Sequence, residues 1–340
     1  MRSTISVICL LSLLLIFPCG LEGQAAGDVS PGSANSPIVL PLDYTNKHLF
    51  VTLSDEKLGV LSMLVDTGTE RTSISKPIAE NKNVHKSFWR RTLSLNGYGA
   101  HPPSQEWRTV PVVLHSGQTP IFSNSSLVFD FGDLGKRLEH PVDGILGWDF
   151  FERWCITLDF AARNLILQNL SDCAPPAGKH GTLKGEWSTH GLLLLSVITF
   201  PNGQSAKALL HLDTGSSETL ILNTQFRAIA GLGEKGSTTS EAKGFGLNGD
   251  YGGDIVPISS IEIEGGTVHL NGKEETTILI GRRGSFSKTH WWTDGIGEAK
   301  INRDGGIGNG ILEHAMWTFD PAAKRVYIKA LASDNSSKTP

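Results

Sequence analysis

Leu64-Val65-Asp66-Thr67-Gly68-Thr69 and His211-Leu212-Asp213-Thr214-Gly215-Ser216 decide the reading of this 340-residue chain. Each is an Asp-Thr-Gly tripeptide entered from an apolar, strand-like run. Ser62-Met63-Leu64-Val65 leads into the first, and Ala208-Leu209-Leu210-His211-Leu212 into the second. One such tripeptide is a common loop; two, one in each half of the chain, predict a pair of carboxylates meeting at one site. Two carboxyls about 3 Å apart cannot both ionise, so they share a proton and their apparent pKa values split. The ionised partner can draw a proton from water while the protonated one polarises a carbonyl, chemistry that hydrolyses amides without metal or covalent intermediate. The neighbours of Asp66 and Asp213 fit that task. Gly68 and Gly215 lack a Cβ and permit close approach of a second backbone. The hydroxyls of Thr67 and Thr214 can cross-brace the paired loops, and those of Thr69 and Ser216 can orient the outer carboxylate oxygens.

The surroundings repeat as well. Asp143-Gly144-Ile145-Leu146-Gly147-Trp148-Asp149-Phe150-Phe151-Glu152, then Thr157-Leu158-Asp159-Phe160, form a block in the first half. Asp304-Gly305-Gly306-Ile307-Gly308-Asn309-Gly310-Ile311-Leu312-Glu313, then Thr318-Phe319-Asp320-Pro321, form its counterpart. The offsets agree at 305 − 144 = 161 and 318 − 157 = 161, against 213 − 66 = 147 between the tripeptides. The second half therefore carries 161 − 147 = 14 extra residues, most simply placed within 276–303 around Trp291-Trp292. A period of this length is a duplicated domain rather than a solenoid.

On these residues the chain resembles tandem retropepsin-like aspartic protease domains, of the kind found in bacterial secreted proteins. The family pattern is an apolar strand delivering Asp-Thr-Gly, a hairpin flap, an apolar-apolar-Gly segment opening a short helix, and a closing hairpin. Ile145-Leu146-Gly147-Trp148-Asp149-Phe150 followed by Ile156-Thr157-Leu158-Asp159 fits closely. The second copy departs from the pattern, with one apolar residue before Gly308 and Asn309-Gly310 in place of Trp148-Asp149. The resemblance implies a mostly β fold of two retropepsin-like (pepsin-like) β-barrel lobes related by a pseudo-two-fold axis. It further implies an aspartic endopeptidase with Asp66 and Asp213 as the catalytic pair, acting on peptides or proteins as a monomer whose lobes pair within one chain. The flaps are expected at Asn96-Gly97-Tyr98-Gly99 and Gly244-Phe245-Gly246-Leu247-Asn248-Gly249, with Tyr98 and Phe245 over the substrate. A fold kept as a non-catalytic peptide-binding groove is the competing reading, motivated by the weaker second copy.

Length favours two domains, and a hydrophobic fraction of 39% is ample for two cores. A net charge of −4 gives no reason to invoke nucleic acid or an anionic membrane. The boundaries expected are a signal peptide at 1–26, a linker at 27–36, lobe 1 at 37–170, an interlobe connection at 171–185, lobe 2 at 186–332 and a tail at 333–340. Arg2, the apolar run from Ile5 to Phe17 and the small residues after Pro18 have the layout of a secretory leader, too short to span a membrane comfortably. Export to periplasm or medium follows; acylation at Cys19 ranks lower because Pro18 stands where a small residue is expected. Leader removal leaves Cys155 and Cys173, which read either as a disulfide or as two separate thiols.

A carboxyl pair needs no cofactor, and the 11 histidines show no metal-ligand spacing. Gly231-Leu232-Gly233-Glu234-Lys235-Gly236 matches a dinucleotide fingerprint by letter but follows no strand, so a loop is expected. His211 either tunes Asp213 or, by strand alternation, points away from the face of Leu212. Asp149, Asp159 and Asp320 are expected in capping and turn roles.

Overall fold

The computed structural model describes residues 36–81, 91–94, 104–189, 191–232, 241–246, 249–264, 266–268, 277–281 and 303–331. The leader with Cys9 and Cys19, nearly all of the first linker, Tyr98, Trp291-Trp292 and the tail lie outside the described residues. Of the stretch expected to hold the second copy's extra residues, Thr277–Gly281 is a strand and 282–302 lie outside them too.

The fold is mostly β, in two lobes related by a pseudo-two-fold axis. The first lobe's sheet runs, in spatial order, Asp43–Thr45, His48–Asp55, Gly59–Val65, Gly144–Leu146, Ser73–Ser75, Thr119–Phe129, Ser104–Ser116 and Arg91–Ser94. The second repeats it with Glu186–Ser188, Gly191–Thr199, Ser205–Leu212, Gly305–Ile307, Leu220–Leu222, Thr277–Gly281, Gly249–Pro257 and Glu241–Gly246, and adds Ser260–Ile263, which also pairs with Gly191–Thr199, and Gly266–Val268 beyond it. At the centre of each, the strand that ends at an aspartate pairs in parallel with the fully buried strand of the downstream block: Leu64 with Ile145, and His211 with Gly306. That strand is squeezed between neighbours. A Cβ on Gly144 would stand 2.6 Å from the Ser73 carbonyl, and one on Gly305 would collide with that of Ile221. The repeated glycines at these two positions are therefore packing requirements.

A third, six-stranded sheet takes three strands from each half, in the order Ile38–Pro41, Asn164–Gln168, Cys155–Asp159, Ala315–Asp320, Arg325–Ala330 and Gly181–Lys184. Its central pair joins the lobes, Ile156 opposite Phe319, Thr157 opposite Thr318 and Leu158 opposite Trp317. Because the copies are 161 apart here, Thr157 faces its own counterpart, Ile156 faces that of Leu158, and Leu158 faces that of Ile156. Their hydroxyls meet at 2.8 Å. Gly181–Lys184, inside the stretch expected to be a plain interlobe connection, is thus an edge strand of the sheet that joins the lobes.

One continuous apolar core runs through both halves. At the junction Phe151 meets Phe319 edge-on, with ring centroids 5.4 Å apart, and Trp148 lies at the same distance from Trp187. Behind the closing hairpin of the first lobe, Cys155 and Cys173 are joined by a disulfide, with Cα atoms 5.5 Å apart. Of the two readings open for these cysteines, the bonded one is found. No helix among the described residues is long and apolar enough to cross a membrane.

Candidate active site

Both Asp-Thr-Gly loops lie at the lobe junction, each hung from its lobe's central strands by the same bonds. Asp66 N–H donates to Leu146 O (3.0 Å) and Asp213 N–H to Ile307 O (2.9 Å). Trp148 N–H donates to Thr69 O and Asn309 N–H to Ser216 O, so the short helices Trp148–Phe151 and Asn309–Leu312 carry the loops from beneath.

The loops are tied to each other by their threonines. Thr67 Oγ1 donates to Leu212 O (2.7 Å) and accepts from Thr214 N–H (3.0 Å). Thr214 Oγ1 donates to Val65 O (2.9 Å) and accepts from Thr67 N–H (3.0 Å). Both hydroxyls are fully buried, so each has its donor and acceptor capacity used without water.

This brace sets the carboxyls side by side. Asp66 and Asp213 are 9% and 8% exposed, buried enough to interact strongly yet open to a small reactant. Each rests on the other loop's glycine. A Cβ on Gly68 would stand 2.5 Å from Asp213 Oδ1, and one on Gly215 would run into the Asp66 carboxyl. Gly68 N–H donates to Asp66 Oδ1 (2.7 Å), Gly215 N–H to Asp213 Oδ1 (3.0 Å), and Thr69 Oγ1 to Asp66 Oδ2 (2.7 Å). Ser216 differs from the expectation: its hydroxyl accepts from Glu218 N–H at 3.3 Å rather than orienting Asp213. Serine has no γ-methyl to fix χ1, so its oxygen turns to this backbone donor. Burial first, and then the Asp66 carboxyl beside it, push the Asp213 pKa up to about 8, with the Arg303 guanidinium acting against them.

The second copy's departures are built into the packing. Asn309 Nδ2 donates to both Thr214 O and Lys47 O, each at 2.7 Å, linking the second loop to the first lobe's hairpin turn. Trp148 Nε1 makes the reciprocal reach, to Ser188 O at 2.8 Å. Gly310 stands where a Cβ would lie 2.5 Å from Thr219 Oγ1. In the first copy Asp149 instead accepts from both the N–H and the hydroxyl of Thr72, each at 2.7 Å. It clamps a loop and caps no helix, correcting that expectation, because Gly147 occupies the cap position. Asp159 and Asp320 take the expected turn roles, accepting from Ala162 and Ala323 N–H at 2.9 Å.

His211 is buried, and Arg303 Nη1 lies 3.2 Å from its Nδ1. Burial and the guanidinium hold this ring far below the ordinary histidine range. His48, for which sequence reasoning held no expectation, is buried with its Nδ1 2.7 Å from Asn46 O, and burial holds its pKa below the ordinary histidine range. A polar residue opening an otherwise apolar strand, Leu49-Phe50-Val51, was its only signal. Phe245 lies on a strand of the second hairpin, with Gly246 paired to Gly249 across the turn. The matching first-lobe hairpin pairs Arg91–Ser94 with Ser104–Trp107. Among the described residues no cluster of three or more His, Cys, Asp or Glu side chains is arranged to hold a metal ion.

This architecture is the pepsin-like aspartic proteinase fold. The aspartic proteinase from Irpex lacteus superposes with a TM-score of 0.51 and 13% sequence identity, over 89% of this chain and 100% of that one. Basic 7S globulin from soybean gives 0.45 and 13%, over 88% and 97%. No protein-family model and no curated protein sequence matches the chain.

Proposed function

We propose that the protein is an exported aspartic endopeptidase that hydrolyses peptide bonds with water activated between Asp66 and Asp213. The observation that carries this reading is the crossed seating of the two carboxyls, each on the other lobe's glycine, beneath a fully bonded threonine brace. Asp213, whose pKa is raised, holds the shared proton. Asp66, which accepts the Gly68 N–H and the Thr69 hydroxyl, is the ionised partner. Asp66 takes a proton from the attacking water as Asp213 protonates the scissile carbonyl oxygen. The tetrahedral diol then collapses, one hydroxyl returning its proton to Asp213 while the proton held by Asp66 passes to the leaving amine. Thr67 and Thr214 brace the loops and Thr69 orients Asp66.

The narrower kinship, tandem retropepsin-like lobes of an exported bacterial type, is proposed from the sequence pattern of the two copies; the hairpin after the tripeptide in each half suits a retropepsin-like and a pepsin-like lobe alike. Tyr98 and Phe245 are assigned to these flaps over an extended peptide. The Cys155–Cys173 disulfide suits an oxidising compartment outside the cytoplasm, and pairing of both loops within one chain suits a monomer. Cleavage of a mixed peptide library from acid to mildly alkaline pH, beside Asp66→Asn and Asp213→Asn, tests the reading. The parent should cleave, and each variant should lose at least about 10²–10⁴-fold in kcat while keeping its fold. Full activity in either variant removes the dyad. A folded parent that cleaves nothing at any pH favours a peptide-binding groove.

A further inference from the structure

The peptide unit that joins Thr214 to Gly215 is held at both ends. Its N–H donates to Asp213 Oδ1 at 3.0 Å, and its carbonyl accepts from Asn309 Nδ2 at 2.7 Å. A trans peptide is planar, with C=O and N–H pointing opposite ways, so a donor fixed on the oxygen also fixes the direction of the N–H. Hydrogen bonds linked in this way polarise one another, and the bond to the carboxyl strengthens. Asn309 is fully buried and its backbone is itself set: the N–H donates to Ser216 O and the carbonyl accepts the Glu313 N–H. The same Nδ2 also donates to Lys47 O, at 2.7 Å, in the left-handed Asn46-Lys47 turn of the first lobe. With two carbonyls on one nitrogen the amide has a single orientation, since the reverse would set Oδ1 against both oxygens. In the first copy Trp148 stands at this position and its Nε1 serves Ser188 O, so it does not grip the peptide joining Thr67 to Gly68. The difference falls where orientation is otherwise lacking. Asp66 takes the Thr69 hydroxyl, whereas the Ser216 hydroxyl turns to the Glu218 N–H and does not serve Asp213.

We infer that Asn309 is a positioning residue of the carboxyl pair: its side-chain amide fixes and polarises the peptide whose N–H donates to Asp213, and ties that peptide to the first lobe through Lys47 O. The role rests on the peptidase reading above. Asn309 acts on Asp213 through one peptide plane, and takes over in the second loop the orienting task that the Thr69 hydroxyl performs in the first. The first-lobe hairpin has a separate anchor, Tyr44 Oη donating to Glu313 Oε2 at 2.7 Å, which does not involve the Thr214 peptide. The Gly215 N–H favours ionised Asp213, against the burial and the Asp66 carboxyl that raise its pKa. Weakening that donor therefore makes the pair hold its shared proton more tightly. The charged and titratable groups around the pair and this seat are Asp66 and Arg303, which act on Asp213, His48 and Lys47 of the first-lobe hairpin, and Glu218 and Glu313 of the second lobe. All are kept in an Asn309 variant, so an altered pH profile reports the amide.

Thr-Gly occurs twice in the sequence, at Thr67-Gly68 and Thr214-Gly215. The full chain labelled with ¹³C at threonine carbonyls and ¹⁵N at glycine therefore gives two carbonyl–amide correlations in nuclear magnetic resonance, one for each tripeptide loop. Thr214→Ser identifies the second by its loss. In the parent the Thr214 carbonyl carbon should resonate downfield of that of Thr67, as an oxygen with an added donor requires. Asn309→Leu keeps the size of the side chain without its donors. In it that difference should vanish and the Gly215 N–H should exchange with solvent about tenfold faster, the worth of one hydrogen bond, with Gly68 unchanged. Tyr44→Phe, which loosens the same hairpin elsewhere, should leave both signals in place. Equal carbonyl shifts in the parent overturn the inference even if Asn309→Leu does not fold. Equal changes at Gly68 and Gly215, or a Tyr44→Phe that reproduces them, overturn it too. Peptide cleavage tests the consequence. Asn309→Leu should lose about tenfold to 100-fold in kcat, the scale of a slightly misplaced reacting group, with little change in KM. The alkaline limb of kcat/KM should move to higher pH, while Tyr44→Phe keeps both kcat and the limb. An unchanged limb, or a loss in KM alone, also counts against the role. A parent that cleaves nothing removes the peptidase reading, whereas the two correlations still report whether the amide grips the peptide at Asp213.

Discussion

Gly215 shows how little room the site leaves. Its missing side chain is occupied by the Asp66 carboxyl. Gly215→Ala should cost about 1–3 kcal/mol of stability by overpacking and reduce cleavage far more than that loss implies, because the carboxyl itself must move. Urea denaturation beside kcat/KM separates the two effects. Asp213 makes a prediction of its own. Its folded-state pKa lies above the unfolded value, so its contribution to stability is full below the unfolded carboxylate range and is lost as pH rises toward the raised value. Asp213→Asn should therefore flatten the decline of stability between about pH 4 and pH 8, and equal slopes for parent and variant would refute the assignment. At this scale the sequence was legible in the placing of the tripeptides: the threonines brace the two loops and each glycine packs under the other loop's carboxyl, as expected. It was silent on Asn309, whose contacts cross between lobes and follow from tertiary placement alone. The hydroxyl of Ser216 was misread because loop position does not set a side-chain rotamer.

Among elements, the loop brace and the closing hairpin can be tested separately. Thr67→Val keeps the shape of the side chain but leaves Leu212 O and Thr214 N–H buried without their partner. A loss of about 1–3 kcal/mol for each orphaned group is expected in chemical denaturation, with Thr67→Ser restoring most of it. An equal loss in the serine variant would mean that the methyl, not the hydroxyl, holds the loops. The Cys155–Cys173 bond spans 18 residues. Replacing both cysteines by serine should lower stability by about 3 kcal/mol through the freed loop entropy of the unfolded chain. Strands, tripeptide loops and the repeated glycines were readable from pattern and offset. The strand Gly181–Lys184 was not, since its Pro-rich approach reads as a linker and its partner, Arg325–Ala330, lies in the other half of the chain. Asn309-Gly310 looked like erosion of the second copy. In space it exchanges an indole for an amide serving two carbonyls, and a clamp for a close approach to Thr219.

In the whole molecule, two halves share one core and meet on an axis where Thr157 touches Thr318. Both residues are buried, so removing one hydroxyl strands the other. Thr157→Val and Thr318→Val should each destabilise by about 1–3 kcal/mol, while the double variant should cost less than their sum. Additive losses in a denaturation cycle would show that the hydroxyls do not meet. The same contact says something about how such a chain can change. Outward from Thr157 and Thr318 the joining strands pair in mirror steps, Ile156 opposite Phe319 and Leu158 opposite Trp317. A substitution beside the centre is therefore met across the seam by the counterpart of the residue on the other side of the threonine, and only Thr157 and Thr318 answer each other directly.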